Sequence, residues 1–85
     1  IEAGMAKALA EGLPADSAAV TGLMRRQHAW LVRSWNRPAP AAAFAGLGQT
    51  YVADPRFRDR YDSRQAGLAE YMAAAMRSFA DRELG

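Results

Sequence analysis

His28 is the only histidine in the chain, and cysteine is absent. These two facts bound the available chemistry. Paired histidine ligands at helical spacing, a thiolate zinc site, a disulfide framework and a thiol nucleophile are all excluded. No carboxylate lies three or four residues from His28, so an acid–base dyad on one helix face is excluded as well. Two roles stay open for this ring: a partly buried histidine bonded to backbone or water, or a polar contact to a bound ligand. Ser17, Ser34, Ser63 and Ser78 lie in no nucleophile-elbow context, and Gly46 and Gly48 fall inside a helical run rather than a phosphate-cradling loop. Enzyme action, a metal and a cofactor are therefore not expected. What remains is the binding surface of rings and thioethers: Trp30, Trp35, Phe44, Tyr51, Phe57, Tyr61, Tyr71, Met72, Met76 and Phe79. Most of these must build the core of so small a domain. His28, Trp35, Phe44 and Tyr51 nevertheless combine flat apolar faces with polar tips, which suits a cleft between the second and third helices for a large, flat, mostly apolar molecule.

Five helical pieces must position these residues. In the first, from Ile1 to about Gly12, Met5 and Leu9 recur at fourfold spacing, and Gly12 with Pro14 supplies a stop. Asp16 or Ser17 caps a second helix from Ala18 to about Trp35, striped by Val20, Met24, His28, Leu31 and Trp35 and ended by Asn36 and Pro38. A third opens near Pro40 and carries Phe44, Leu47, Gly48 and Tyr51 on one face. Asp54 followed by Pro55 starts a short fourth helix, to Tyr61, because the carboxylate accepts from free backbone N–H groups and proline costs no bond at the first position. The fifth begins between Ser63 and Leu68 and lasts to about Leu84. Its Leu68, Tyr71, Met72, Ala75, Met76 and Phe79 line a single apolar stripe.

No segment alternates like a strand, so the fold class is all-α. The chain has 85 residues, 51% of them hydrophobic and 24% charged, which sets one domain without a membrane span. It opens on Ile1 in mid-helix pattern, and residues 1–85 are expected to be a fragment of a longer protein with a cytoplasmic address. The net charge is only +2, and Asp54, Asp59 and Asp62 interleave with Arg56, Arg58, Arg60 and Arg64. Direct nucleic-acid binding by this chain is not expected. Gly22, Gly46 and Gly48 lie in helical runs, and each costs about 1 kcal/mol relative to alanine. Close helix packing, or room for a ligand, is expected to offset that cost.

Several patches in order, GLPADSAAV before the second helix, His28 within it, then LGQTYVADPRF and GLAEYMAAAM, resemble the TipAS-type antibiotic-recognition domain. Such domains are the effector-binding modules of some MerR-family transcription activators and also occur alone. The resemblance spans nearly the whole chain. It implies a compact, globin-like bundle of about five helices with a surface cleft for thiopeptides or other multidrug-like antibiotics. In full-length members, DNA is contacted through an upstream helix-turn-helix and dimers form through a coiled coil, neither of which lies in these residues. A cysteine in the third-helix region of the archetype captures its ligand covalently. Ala39 and Gly46 stand at the corresponding positions here, so binding is expected to be reversible. Ligand contacts are expected from His28, Trp35, Phe44, Tyr51, Tyr61 and Met76. Two alternatives are a stand-alone antibiotic-sequestering resistance protein and a helical interaction module that docks a partner through its Met-rich fifth helix.

Overall fold

Two of the helices, the second and the fourth, start at a side-chain cap that the sequence supplies, whereas the first and the third start without one. The computed structural model describes residues 1–85 as five α-helices with no strand: α1 Glu2–Ala10, α2 Ala18–Trp35, α3 Ala41–Ala53, α4 Pro55–Arg64 and α5 Leu68–Phe79. A π-helical turn, Ala80–Leu84, extends the last. Ser17 rather than Asp16 caps α2, its hydroxyl accepting from the Val20 N–H at 3.4 Å. Asn36, in the left-handed conformation, terminates that helix. Asp54 accepts from the Arg56 N–H at 2.9 Å ahead of Pro55, as expected. α4 runs three residues past Tyr61 to Arg64, its last turn pinned by an Arg64–Glu2 ion pair at 2.8 Å that crosses to α1. Gly67, at φ +82, turns the chain into α5. Asp62 caps that helix from outside it, accepting from the Ala69 N–H at 3.1 Å.

The core sits between α3 and α5, the most extensively packed helix pair. α5 buries Leu68, Met72, Ala75, Met76 and Phe79, nearly the whole stripe that its spacing predicts. Tyr71 sits at the margin and donates its hydroxyl to the Leu13 carbonyl at 2.8 Å, tying α5 to the loop before α2. The methionines of α5 are 2% and 0% exposed, so they fill the core.

Gly48 is what lets α3 approach α5. A Cβ there would lie 3.1 Å from the Ala73 Cα and 3.3 Å from the Met76 Cβ, tighter than ordinary contact. Gly22 and Gly46 depart from expectation, since a methyl group at either would meet nothing within 4 Å. Both lie on outer helix surfaces, so their cost in helix propensity is offset neither by close packing nor by an adjoining cavity.

Candidate functional site

The aromatic side chains separate into two groups. His28, Phe44 and Phe79 form one, with ring centroids 5.3 to 5.9 Å apart. Phe44 is wholly buried, and the His28 ring meets it edge-on at 88°. The His28 Nε2 lies 2.8 Å from the Ala39 carbonyl oxygen. Because a carbonyl only accepts, Nε2 carries the proton and donates it, joining α2 to the segment that leads into α3. The backbone contact weighed from the sequence is therefore the one this ring makes.

Tyr51, Phe57 and Tyr61 form the second group, with centroids 5.5 and 5.0 Å from Tyr51. These rings line an open cleft of about 380 Å³. α4 supplies Phe57, Arg60 and Tyr61 on one side, and α2 supplies Gln27 and Trp30 on the other. Tyr51 from α3 and Met72 from α5, both buried, reach it from the core. Ile1 and Glu2 complete the rim, and the Glu2 carboxylate is held by Arg64 and, at 3.7 Å, by Arg60. Six of the nine lining residues are hydrophobic, which matches the lining of small-molecule sites generally.

The polar groups of the cleft are few and specific. Burial, and then the adjacent Tyr61, hold the Tyr51 phenol well above its ordinary value, while Arg60 and the Gln27 amide act more weakly in the opposite direction. Tyr51 is thus a neutral hydroxyl throughout the physiological range, able both to donate and to accept. Gln27 is 8% exposed and, apart from the hydroxyls of Tyr51 and Tyr61, is the one polar side chain among the buried residues. Its Nε2 has the Met76 sulfur at 4.0 Å beside its weak interaction with the Tyr51 phenol, and its Oε1 has no hydrogen-bond partner. A buried amide with an orphaned oxygen in the wall of an apolar cleft calls for explanation, because such a group costs about 1–3 kcal/mol.

Of the six residues singled out from the sequence, Tyr51 and Tyr61 line this cleft. His28 and Phe44 lie in the closed aromatic group, and Met76 is buried behind Gln27. Trp35 ends α2, half-buried against the core, with the Arg37 guanidinium 5.3 Å from its ring. The opening lies between α2 and α4 rather than between α2 and α3. Two signals for the other lining residues were present in the sequence. The buried positions of α2 are Val20, Met24, Gln27 and Leu31, a spacing of four, three and four residues that puts a glutamine on the apolar face. Trp30 falls off that face and is 59% exposed, an unusual place for the largest side chain.

No group of three or more metal-ligating side chains comes together in the structure. The fold is an all-α bundle with an open, aromatic-lined cleft on one side. Residues 1–79 match the TipAS antibiotic-recognition domain, and the chain belongs to that family. Among characterised proteins it is 56% identical over 80 residues to the HTH-type transcriptional regulator SkgA of Caulobacter vibrioides, in strains NA1000 / CB15N and ATCC 19089 / CIP 103742 / CB 15. That match covers 94% of this chain and 31% of the regulator, so the chain spans about a third of the length of the curated relatives it matches. No solved structure matches it. No helix is long and apolar enough to cross a membrane.

Proposed function

We propose that this domain binds thiopeptide or other multidrug-like antibiotics reversibly in the cleft between α2 and α4, as the effector-binding part of a cytoplasmic MerR-type transcription activator. The observation that carries this is the open aromatic wall of Tyr51, Phe57 and Tyr61 in a chain of the antibiotic-recognition family. Flat apolar ligand surface stacks on those rings and on Trp30, and the Tyr51 hydroxyl and Gln27 amide orient it. His28, Phe44 and Met76 support the wall from behind. With no cysteine in the chain, no thioether to a ligand forms, and the complex dissociates freely. DNA contact and dimerisation belong to parts of the parent protein outside these residues.

Calorimetric titration with a panel of thiopeptides and other hydrophobic antibiotics tests the proposal. Saturable heat that is lost in Tyr61→Ala, with the variant still folded, supports it. No heat across the panel at near-millimolar protein rejects it. The similarity to a transcriptional regulator favours sensing over sequestration. A promoter fusion responding to the same compounds in cells carrying the full-length parent separates those two roles.

A further inference from the structure

Charge is distributed unevenly along the chain. Between Asp16 and Asp54 there is no acidic residue, yet this stretch holds Arg25, Arg26, Arg33 and Arg37. Elsewhere the arginines near the cleft are matched: Arg56 by Asp54, Arg58 by Asp62 and Glu70, Arg60 and Arg64 by Glu2. Arg25 is reached by Glu83 from the end of the chain. Arg26 and Arg33 are exposed, and no carboxylate pairs with either.

These two side chains are not scattered on the surface. Arg26, Trp30 and Arg33 recur at i, i+4 and i+7, which puts them on one face of α2 within two turns, about 10 Å along its axis. With Ile1 and Ala29 they line a second, shallower depression of about 370 Å³. That depression shares Ile1 and Trp30 with the aromatic cleft, so the two adjoin, with Trp30 at their common edge. The cleft is flat and apolar at Tyr51 and Tyr61; the depression carries two uncompensated guanidinium groups, whose planar forks suit a carboxylate or a similar oxyanion.

We propose that the cleft and the depression together take an acidic, flat ligand: an aromatic body seated on Tyr51, Phe57 and Tyr61, and an anionic group carried over Trp30 to Arg26 and Arg33. The proposal rests on the aromatic cleft being the binding site and adds a charge requirement to it. Arg26 and Arg33 determine specificity, since a neutral ligand of the same shape gains nothing from them, and a cationic one is repelled.

The matched probes pyrene butyrate and pyrene butanol share one aromatic body and differ in the charge of the tail. Binding is read from pyrene emission excited through the tryptophans, and placement from the ring resonances of Tyr51, Tyr61 and Trp30. Wild-type protein is expected to bind the acid more tightly than the alcohol by about tenfold at low salt. Raising ionic strength from about 0.02 to 0.3 M should erase most of that preference, because the paired charges are exposed. In the double variant R26Q/R33Q the acid should fall to the affinity of the alcohol, and the alcohol should bind as before. Equal binding of both probes in the wild type, or a preference that survives in R26Q/R33Q, overturns the charge requirement while the aromatic cleft stands. Absence of shifts at Tyr51 and Tyr61 with either probe overturns the cleft as the site, and the proposal with it. Both substitutions lie on the surface, and an unchanged far-ultraviolet spectrum verifies that the variant is folded.

Discussion

His28, Phe44 and Phe79 and the trio of Tyr51, Phe57 and Tyr61 use the same kinds of ring at similar separations, 5.3 to 5.9 Å in the first and 5.0 to 5.5 Å in the second. The first is closed: Phe44 and Phe79 are buried, and the imidazole has its backbone acceptor. The second opens onto a cleft, has an exposed tryptophan at its edge and leaves a buried amide oxygen without a partner. Ring chemistry therefore does not separate the closed group from the open, candidate site in this molecule. What separates them is whether the polar atoms beside the rings are already satisfied. A closed cluster spends its hydrogen bonds on the fold, and an open one keeps them for something else.

The largest expected effect tests the closed side. Phe44→Ala removes a ring that is fully buried and should lower unfolding free energy by about 3–5 kcal/mol in urea denaturation, a large share of what so small a domain has. A loss under about 1 kcal/mol would mean that the closed cluster contributes little to the fold. Next, Gly48→Ala should cost about 1–3 kcal/mol, because the added methyl meets the α5 backbone at Ala73. Gly46→Ala, facing open space, is the control and should stabilise by up to about 1 kcal/mol. On the open side, Gln27→Met keeps the shape and removes the orphaned acceptor. It should raise stability by about 1 kcal/mol in thermal unfolding while weakening ligand binding, and a loss of stability would show that Gln27 serves the fold after all. Trp30→Ala should be the smallest in stability, within about 0.5 kcal/mol, and should still abolish binding in the calorimeter. If Trp30→Ala unfolds the domain, the two regions are not as distinct as they look.

Much of the helical framework was legible in advance because its determinants are local. Asp54 and Pro55, Ser17 and Asn36 each act on backbone groups within a few residues, and they set helix ends without reference to the rest of the molecule. The α5 stripe was legible for a similar reason: seven of its twelve residues are buried, and its spacing admits only one face. Residues at helix margins were harder. Glu2 reaches across 62 residues to Arg64, and Asp62 caps α5 from seven residues upstream across the turn at Gly67, contacts that no helical spacing rule anticipates.

The cleft was legible only in part. Tyr51 and Tyr61 could be named from their faces, but His28, Phe44 and Met76 share those properties and pack inside. On α2 the decisive detail is a drift of one residue. The buried set passes through Gln27 rather than His28, although both orders of steps, four, three and four or four, four and three, cover Val20 to Leu31 equally well at 3.6 residues per turn. A single sequence shows both possibilities and cannot weigh them, since the choice depends on which neighbouring helix covers that face.

By itself, the sequence determined the all-α class, most of the helix ends, the family, and the exclusion of thiol and paired-histidine chemistry. Each of these follows from composition, from short-range backbone bonding or from the order of motifs. Only the tertiary structure decided which aromatic group is closed and which open, that Gly48 is a packing contact while Gly22 and Gly46 are not, and that Trp30 stands at the common edge of an apolar cleft and a basic shelf. The physical reason is range. Helix formation is settled within one or two turns, whereas a cleft is the space that several packed helices fail to fill, and its walls come from residues as far apart as Glu2 and Met72.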